Sequence, residues 1–455
     1  MSADTSTVKA SPYERPAYRW YVVTLLAVAY AVSYIDRLII SLMVDPIKAS
    51  LALSDTQVSL LIGLSFAIFY ATTAIPIAWL ADRFSRRNII VSGITIWCVM
   101  TAACGFARNF TSLFIARMGV GLGEAALAPA ANSMIADSFP KEQLGKALGV
   151  FASGIAIGVG ISFVVGGQIL ALIGPNKPYE LPLIGTIVGW QLTFIILGFA
   201  GLLLGALMFT IKEPERKVDG PNSAAQAKTS SPSFSETISY FNTHKLVYGT
   251  LFLGYAAAQT TFFATGAWIP SLFLRVYEWD VASFGTMYGL IVSVMGLVGI
   301  VAGGWACDYF YNRGIEDAHW RIIMVSFCFI PLYALLPVFD NGFIAMGILA
   351  TANLAAFAAA IAAPAAILLV TPNLYRAMAT ALFFFSINII GMTSGPYLVA
   401  VITEKVFQDP NSIAEAIAIV SITSWVIAMI MLWIGFKFYR ARILEYDADA
   451  NAQSA

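Results

Sequence analysis

Residues 21–43 read YVVTLLAVAYAVSYIDRLIISLM, an almost unbroken apolar run. A helix that crosses a bilayer needs roughly 20 such residues. Runs of this length recur along the chain, and we count twelve. The first six cover residues 18–44, 57–81, 88–107, 110–137, 144–173 and 185–211. The second six cover 246–274, 281–307, 320–339, 342–370, 375–402 and 412–438. Water could not solvate such a chain. It is 59% hydrophobic and 11% charged, where soluble proteins carry about 25% charge. The runs are continuous rather than alternating, so helices and not a closed barrel are the expected way to satisfy the backbone in lipid. The expected class is an all-α integral membrane protein with the lipid bilayer as its first partner.

Between the two sets of runs the composition changes. Residues 212–245 turn to Lys, Glu, Pro, Ser and Ala, which reads as a linker. The expected organisation is a tail (1–17), a six-helix half (18–211), the linker (212–245), a second six-helix half (246–438) and a tail (439–455). Orientation follows from Lys and Arg. Of the 26, five (Lys48, Arg108, Lys177, Arg275, Lys405) fall on one side. Two, Arg37 and Arg117, lie within spans, and the rest gather on the side of the termini and linker. That side is expected to be cytoplasmic and the membrane the plasma (inner) membrane. The halves also repeat. "AWLADRFSRR" with Asp82 follows the second run, and "GGWACDYFYNRG" with Asp308 follows the eighth. The offset of 226 residues that links these aspartates also carries Trp20 to Leu246. Two parallel-repeat halves joined by a linker are a transporter architecture.

Charges inside spans are the informative residues. Each costs about 2.5–3.5 kcal/mol on the insertion scale, and they almost always face a cavity or one another. Four fall in the first half: Asp36 and Arg37 in the first run, Arg117 and Glu124 in the fourth. Arg117, Gly121 and Glu124 share one helical face, while Gly119 and Gly123 form a GxxxG on another. At 1.5 Å per residue, Asp36 lies about 12 Å from the far end of its helix and Arg117 about 10 Å from the same side. We therefore expect one neutral network, with Asp36 paired to Arg117 and Glu124 within reach of either arginine. Asp36 and Glu124 are the candidate proton sites. Whether Arg37 serves that switch, the substrate or both is open.

The second half carries no such set. Its polar candidates for a substrate cavity are Gln259, Thr260, Asn353 and Asn388, with Tyr34 of the first half beside them. A charged wall facing a mostly apolar one suits an amphiphilic anion, or a small organic anion such as an aromatic or sugar acid. In the "AWLADRFSRR" turn, Asp82, Arg83, Arg86 and Arg87 are expected to latch a cytoplasmic gate, with Asp308 as their counterpart. The arginines would pair with acids or carbonyls when the cytoplasmic ends close.

Together, "YIDR", "RMGVGLGEAALAP" through "ADSFP" and the signature-like turn resemble the Spinster-like branch of the major facilitator superfamily. The resemblance implies the major facilitator fold, twelve transmembrane helices in two pseudo-symmetric six-helix halves. It also implies a proton as coupling ion and sphingolipids or lysophospholipids as substrates. The family's charges carry over onto Asp36, Arg37, Arg117 and Glu124. The signature turn departs at Ala78 and Ser85, where glycines are usual. The fifth run has Ser162 and Phe163 where a Gly-Pro would be expected.

Other classes find little support. Zero net charge offers no bulk basic surface for nucleic acid. No GxxxxGK[ST] phosphate loop and no HExxH occurs, and the four cysteines form no CxxC pair. A transporter rather than an enzyme is expected, monomeric, without metal or cofactor. An uncoupled facilitator is the remaining alternative.

Overall fold

The computed structural model describes residues 12–182, 185–216 and 234–454. Residues 1–11 of the expected tail and 217–233 of the linker lie outside it. Eleven helices among the described residues are long and apolar enough to span a membrane. We label them α1 (Pro16–Leu51), α2 (Asp55–Ala81), α3 (Arg86–Cys104), α4 (Phe110–Ser138), α5 (Gln143–Ile173) and α6 (Gly189–Met208). In the second half they are α8 (Val281–Tyr311), α9 (Ala318–Val338), α10 (Gly342–Val370), α11 (Arg376–Phe407) and α12, which runs Ile413–Ser454. The twelfth, α7, is Lys245–Arg275. A short helix, Phe234–Thr243, precedes it.

Two expected boundaries are corrected, and one helix changes type along its length. The run at 185–211 does not begin as helix. Gly185 takes φ +85, and Thr186, Ile187 and Val188 follow in β2 (Gly185–Val188). β2 pairs antiparallel with β1 (Pro178–Leu181), from Pro178↔Val188 to Leu181↔Gly185. The β-branched residues after a left-handed glycine favour the hairpin. In α9 the stretch Ile330–Val338 is 3-10, because Pro331 and Pro337 cannot donate to an α ladder. At the other extreme, α12 runs on through residues expected to be a tail.

Helix α1 also changes character within its span. Its α-helical part ends at Leu38, and Ile39–Met43 continue as a 3-10 turn. A second break in α2 falls at Gly63, where an added Cβ would lie 2.5 Å from the Met392 carbonyl of α11. The glycine is what lets the two backbones touch there.

The halves meet chiefly through α5 with α8 and α2 with α11. Along α5, Phe163 and Gly167 press on Gly285 and Val281, and Gly160 presses on Gly289 and Ser293. The Phe163 ring meets Tyr288 edge-on at 4.8 Å. All these residues lie toward the far end, away from the termini. Gly145 and Gly149 continue the same face of α5 toward the termini, and Gly304 continues that of α8. A Cβ on any of the three would meet nothing within 4 Å. The halves are packed at the far end and parted at the end that carries the termini. The buried core follows suit. One cluster runs from the first half into far-end residues such as Trp268, Phe273 and Phe284. A separate one around Tyr248, Trp320, Ile367 and Tyr439 fills the terminal end of the second half.

Candidate functional site

The four intramembrane charges do come together: Glu124 reaches an arginine as expected, but Asp36 and Arg117 do not pair through their side chains. Arg37 Nη2 donates to Glu124 Oε2 at 2.6 Å, with the two side chains 9% and 1% exposed. Arg117 does not take the Asp36 carboxylate. Its Nη1 donates to the Asp36 backbone carbonyl at 2.9 Å and its Nη2 to the Arg37 carbonyl at 3.3 Å. The break in α1 explains this. In an unbroken α-helix those carbonyls accept from residues 40 and 41. The 3-10 turn that begins at Ile39 disturbs that ladder, and the fully buried Arg117 guanidinium supplies donors instead. Ser41 Oγ caps the next carbonyl, that of Leu38, at 2.7 Å.

This leaves two acid oxygens without a donor. Asp36 is 2% exposed and its Oδ2 has no hydrogen-bond partner, and Glu124 keeps Oε1 free while Oε2 holds Arg37. On the α3 side, the indole of Trp97 lies beside the Asp36 carboxyl. One turn on from Trp97, the Thr101 hydroxyl is also buried without a partner. Gly93, Gly119 and Gly123 bring α3 and α4 close enough for this. A Cβ on Gly123 would fall 2.5 Å from the Trp97 backbone nitrogen. The GxxxG face thus packs against α3 and leaves the charged face for α1.

Aromatic rings frame the cation. The Arg37 Cζ stands 4.4 Å from the Phe66 ring centre, 4.7 Å from Tyr34 and 4.9 Å from Tyr70. Such contacts stabilise a guanidinium removed from water by up to about 2 kcal/mol each. Phe66 reaches this place because Gly121 lets α4 approach its backbone, where a Cβ would sit 2.6 Å from the Phe66 carbonyl.

The second-half candidates are dispersed. Gln259 borders a small cavity with Tyr255, Phe327 and Tyr333 inside that half. Thr260 is buried and lies 3.3 Å from Ser394 Oγ. Asn353 is 3% exposed and donates to Leu349 O at 2.8 Å. Asn388 sits in a π turn of α11, Ile387–Met392, and donates to Phe384 O at 2.8 Å. Tyr34 alone of the five touches the charged network.

The "AWLADRFSRR" turn is engaged although the ends are parted. Arg86, 1% exposed, pairs with Asp137 of α4 and, at 2.8 Å, with Glu213 at the start of the linker. Glu213 also accepts from the Ser85 hydroxyl at 2.8 Å and the Arg87 N–H at 2.9 Å. Burial alone would raise the Glu213 carboxyl. The Arg87 N–H, the Arg86 guanidinium and the Ser85 hydroxyl outweigh it and hold the group below the usual carboxylate range. Arg83 lies over the Trp79 ring at 3.8 Å. Asp308 is exposed and forms no salt bridge among the described residues, and the side chain of Asp82 lies outside them. The acids that Arg86 finds belong to its own half and the linker.

A cluster that the sequence did not single out joins the halves at the far end. Arg275 of α7 reaches Asp45 at 2.6 Å and Asp55 at 3.2 Å, and Lys48 holds Asp55 at 2.6 Å. Glu404 of α11 accepts from the Thr56 hydroxyl at 2.6 Å and its N–H at 3.0 Å. The available signal was that Lys48, Arg275 and Lys405 are three of only five basic residues on that side, each near an acid.

A family model described as Major Facilitator Superfamily matches residues 26–396. An MFS-type efflux pump of Mycolicibacterium smegmatis is 25% identical over 98% of this chain and 99% of its own length. The hexuronate transporter of Bacillus subtilis is 28% identical over 64% of this chain and 65% of its own. Among solved structures, a bacterial homologue of the human lysosomal transporter Spinster, inward-facing and unoccupied, aligns with a TM-score of 0.75. It is 25% identical, over 96% of this chain and 99% of that one.

Proposed function

The chain belongs to the Major Facilitator Superfamily, and on that premise we propose that this multi-pass membrane transporter is proton-coupled and moves an amphiphilic or organic anion by alternating access. The observation that carries the proposal is the Arg37–Glu124 pair with its neighbour Asp36: two buried carboxyls that each keep an oxygen without a donor. A buried polar atom without a partner is costly, and a proton is the smallest ligand that satisfies it. Protonation of Glu124 neutralises the acid and dissolves the pair. Arg37 is then a buried cation without a counter-charge, ready for the anionic group of a substrate. Release of the proton restores the pair and expels that anion. Asp36, one residue away, is the second proton site, with Arg117 fixing the α1 backbone beneath it.

The Lys and Arg bias supports termini on the cytoplasmic side, and the parted terminal end then reads as an inward-facing state. Amphiphile transport, of a lysolipid or sphingolipid-like molecule, is supported by the resemblance to Spinster. The second reading, a small sugar acid or aromatic acid, draws on the hexuronate relative and on the ring-framed Arg37. Proteoliposome uptake of a lysophospholipid and of a hexuronate, each with and without a proton gradient, tests both. Gradient-stimulated uptake of one of the two identifies the class. Equal rates with and without the gradient would favour plain facilitation.

A further inference from the structure

Among the described residues, four tryptophans are wholly enclosed: Trp97, Trp190, Trp268 and Trp320. A buried indole N–H usually finds a partner. Three of the four use an ordinary structural oxygen. Trp190 donates to Ser50 Oγ at 2.8 Å, Trp268 to Pro396 O at 2.8 Å and Trp320 to Leu432 O at 3.2 Å. Trp97 differs, because the group beside its N–H is the Asp36 carboxyl. Neither arginine of the central site bonds that carboxyl, since Arg37 holds Glu124 and Arg117 holds backbone carbonyls. The indole is its one side-chain donor among the described residues.

Packing holds the indole in place. A Cβ on Gly123 would lie 2.8 Å from the Trp97 Cβ, and one on Gly93, a turn before Trp97, would lie 2.5 Å from the Ala126 Cβ. The turn of α4 that carries Glu124 therefore sets where Trp97 stands. The chemistry of the contact is specific. An indole N–H donates and cannot accept. It bonds an ionised carboxylate more strongly than a neutral acid. A guanidinium in its place would bind the carboxylate as a full counter-charge. A neutral donor orients the acid and leaves it able to take a proton.

The other groups that face Asp36 act on it by charge alone. They are Arg117 and Glu124 of α4 and, on α3, the Cys98 and Cys104 thiols. Arg37 follows it in α1, and α2 brings Tyr70 against that arginine. Helices α5 and α6 add none, having no titratable residue over 154–173 and 189–208.

We propose that Trp97 is a positioning residue for proton exchange at Asp36, its N–H orienting the carboxyl and setting how tightly the proton is held, a role that rests on the proton-coupled reading of that acid. Infrared difference spectra of the purified full chain in nanodiscs, recorded across pH, test it without any substrate. The carboxylic-acid C=O band that D36N lacks reports the Asp36 proton. W97F removes the donor and should hold that proton about ten-fold more tightly than wild type. Incorporation of 3-benzothienylalanine at position 97 keeps the shape of the indole without its N–H. It should have the same effect, and it covers a W97F chain that fails to fold. W190F, which removes the donor to Ser50, is the control for lost packing and should leave the titration of the band unchanged. An Asp36 band that titrates at the wild-type pH in both replacements of Trp97 would overturn the proposal and leave Asp36 standing as a proton site. If D36N removes no titrating band, Asp36 is not a proton site and the role of Trp97 falls with it.

Discussion

Arg37 and Glu124 lie 2.6 Å apart across α1 and α4, both nearly sealed from solvent, while the adjacent Asp36 has no cation on its carboxylate. A buried pair of this kind need not add net stability. Removing one partner, however, strands a charge, at a cost of about 3–5 kcal/mol. E124A should therefore lower the thermal stability of the purified protein sharply. The double variant R37M/E124L, which removes both charges, should recover much of the loss and stay inactive. A double variant no more stable than E124A would show that the pair is not an isolated unit.

The far-end latch makes a different demand. With Arg275 held by Asp45 and Asp55, and Glu404 by Thr56, the halves are tied on that side. R275A should shift the population toward an opening there. Spin labels on the exposed residues Ala49 and Asp409 would report it as a longer distance component by pulsed electron resonance. An unchanged distribution would mean that the α5–α8 and α2–α11 packing closes the far end without the latch.

Glu213 ties the linker to Arg86 and Arg87, and its carboxyl is held below the ordinary range. A group depressed on folding contributes stability above its unfolded value, and loses that contribution as pH falls through its folded one. The stability gap between wild type and E213Q should therefore be full near pH 7 and close only below the usual carboxylate range, about 4. Thermal unfolding across pH measures it. A gap that persists at the acidic end would exclude the charge as its cause.

Close approach at the α5–α8 crossing should be equally sensitive. A Cβ on Gly167 would fall 2.7 Å from the Val281 carbonyl. G167L should impair transport more than G149L, whose site faces open space on the same helix face. Equal transport by the two would remove the crossing as a contact that transport depends on.

The four intramembrane charges were legible because any charge in a long apolar run is costly and must find company. The twelve spans and the repeat of Asp82 in Asp308 were legible for related reasons of period and composition. The partners were not. Depth along each helix put Asp36 level with Arg117, and they are indeed neighbours, but depth carries no information about where α1 passes into a 3-10 turn. That break turned Arg117 from a carboxylate partner into a backbone one. The Arg275 latch and the Glu213 clasp were hidden because each joins segments far apart in the chain, across the halves or from the linker. The hairpin at Pro178–Val188 was missed because Thr186, Ile187 and Val188 are as apolar as the helix that follows them.

The central claim is that the acids beside Arg37 carry the proton that drives transport. The most direct measurement is proton-gradient-driven uptake of an accepted substrate into proteoliposomes holding wild type, D36N or E124Q at matched protein levels. We expect the gradient to accelerate wild-type uptake and to have no effect on at least one of the two variants, with substrate exchange in the absence of a gradient surviving in it. Undiminished gradient-driven uptake by both D36N and E124Q would contradict the account.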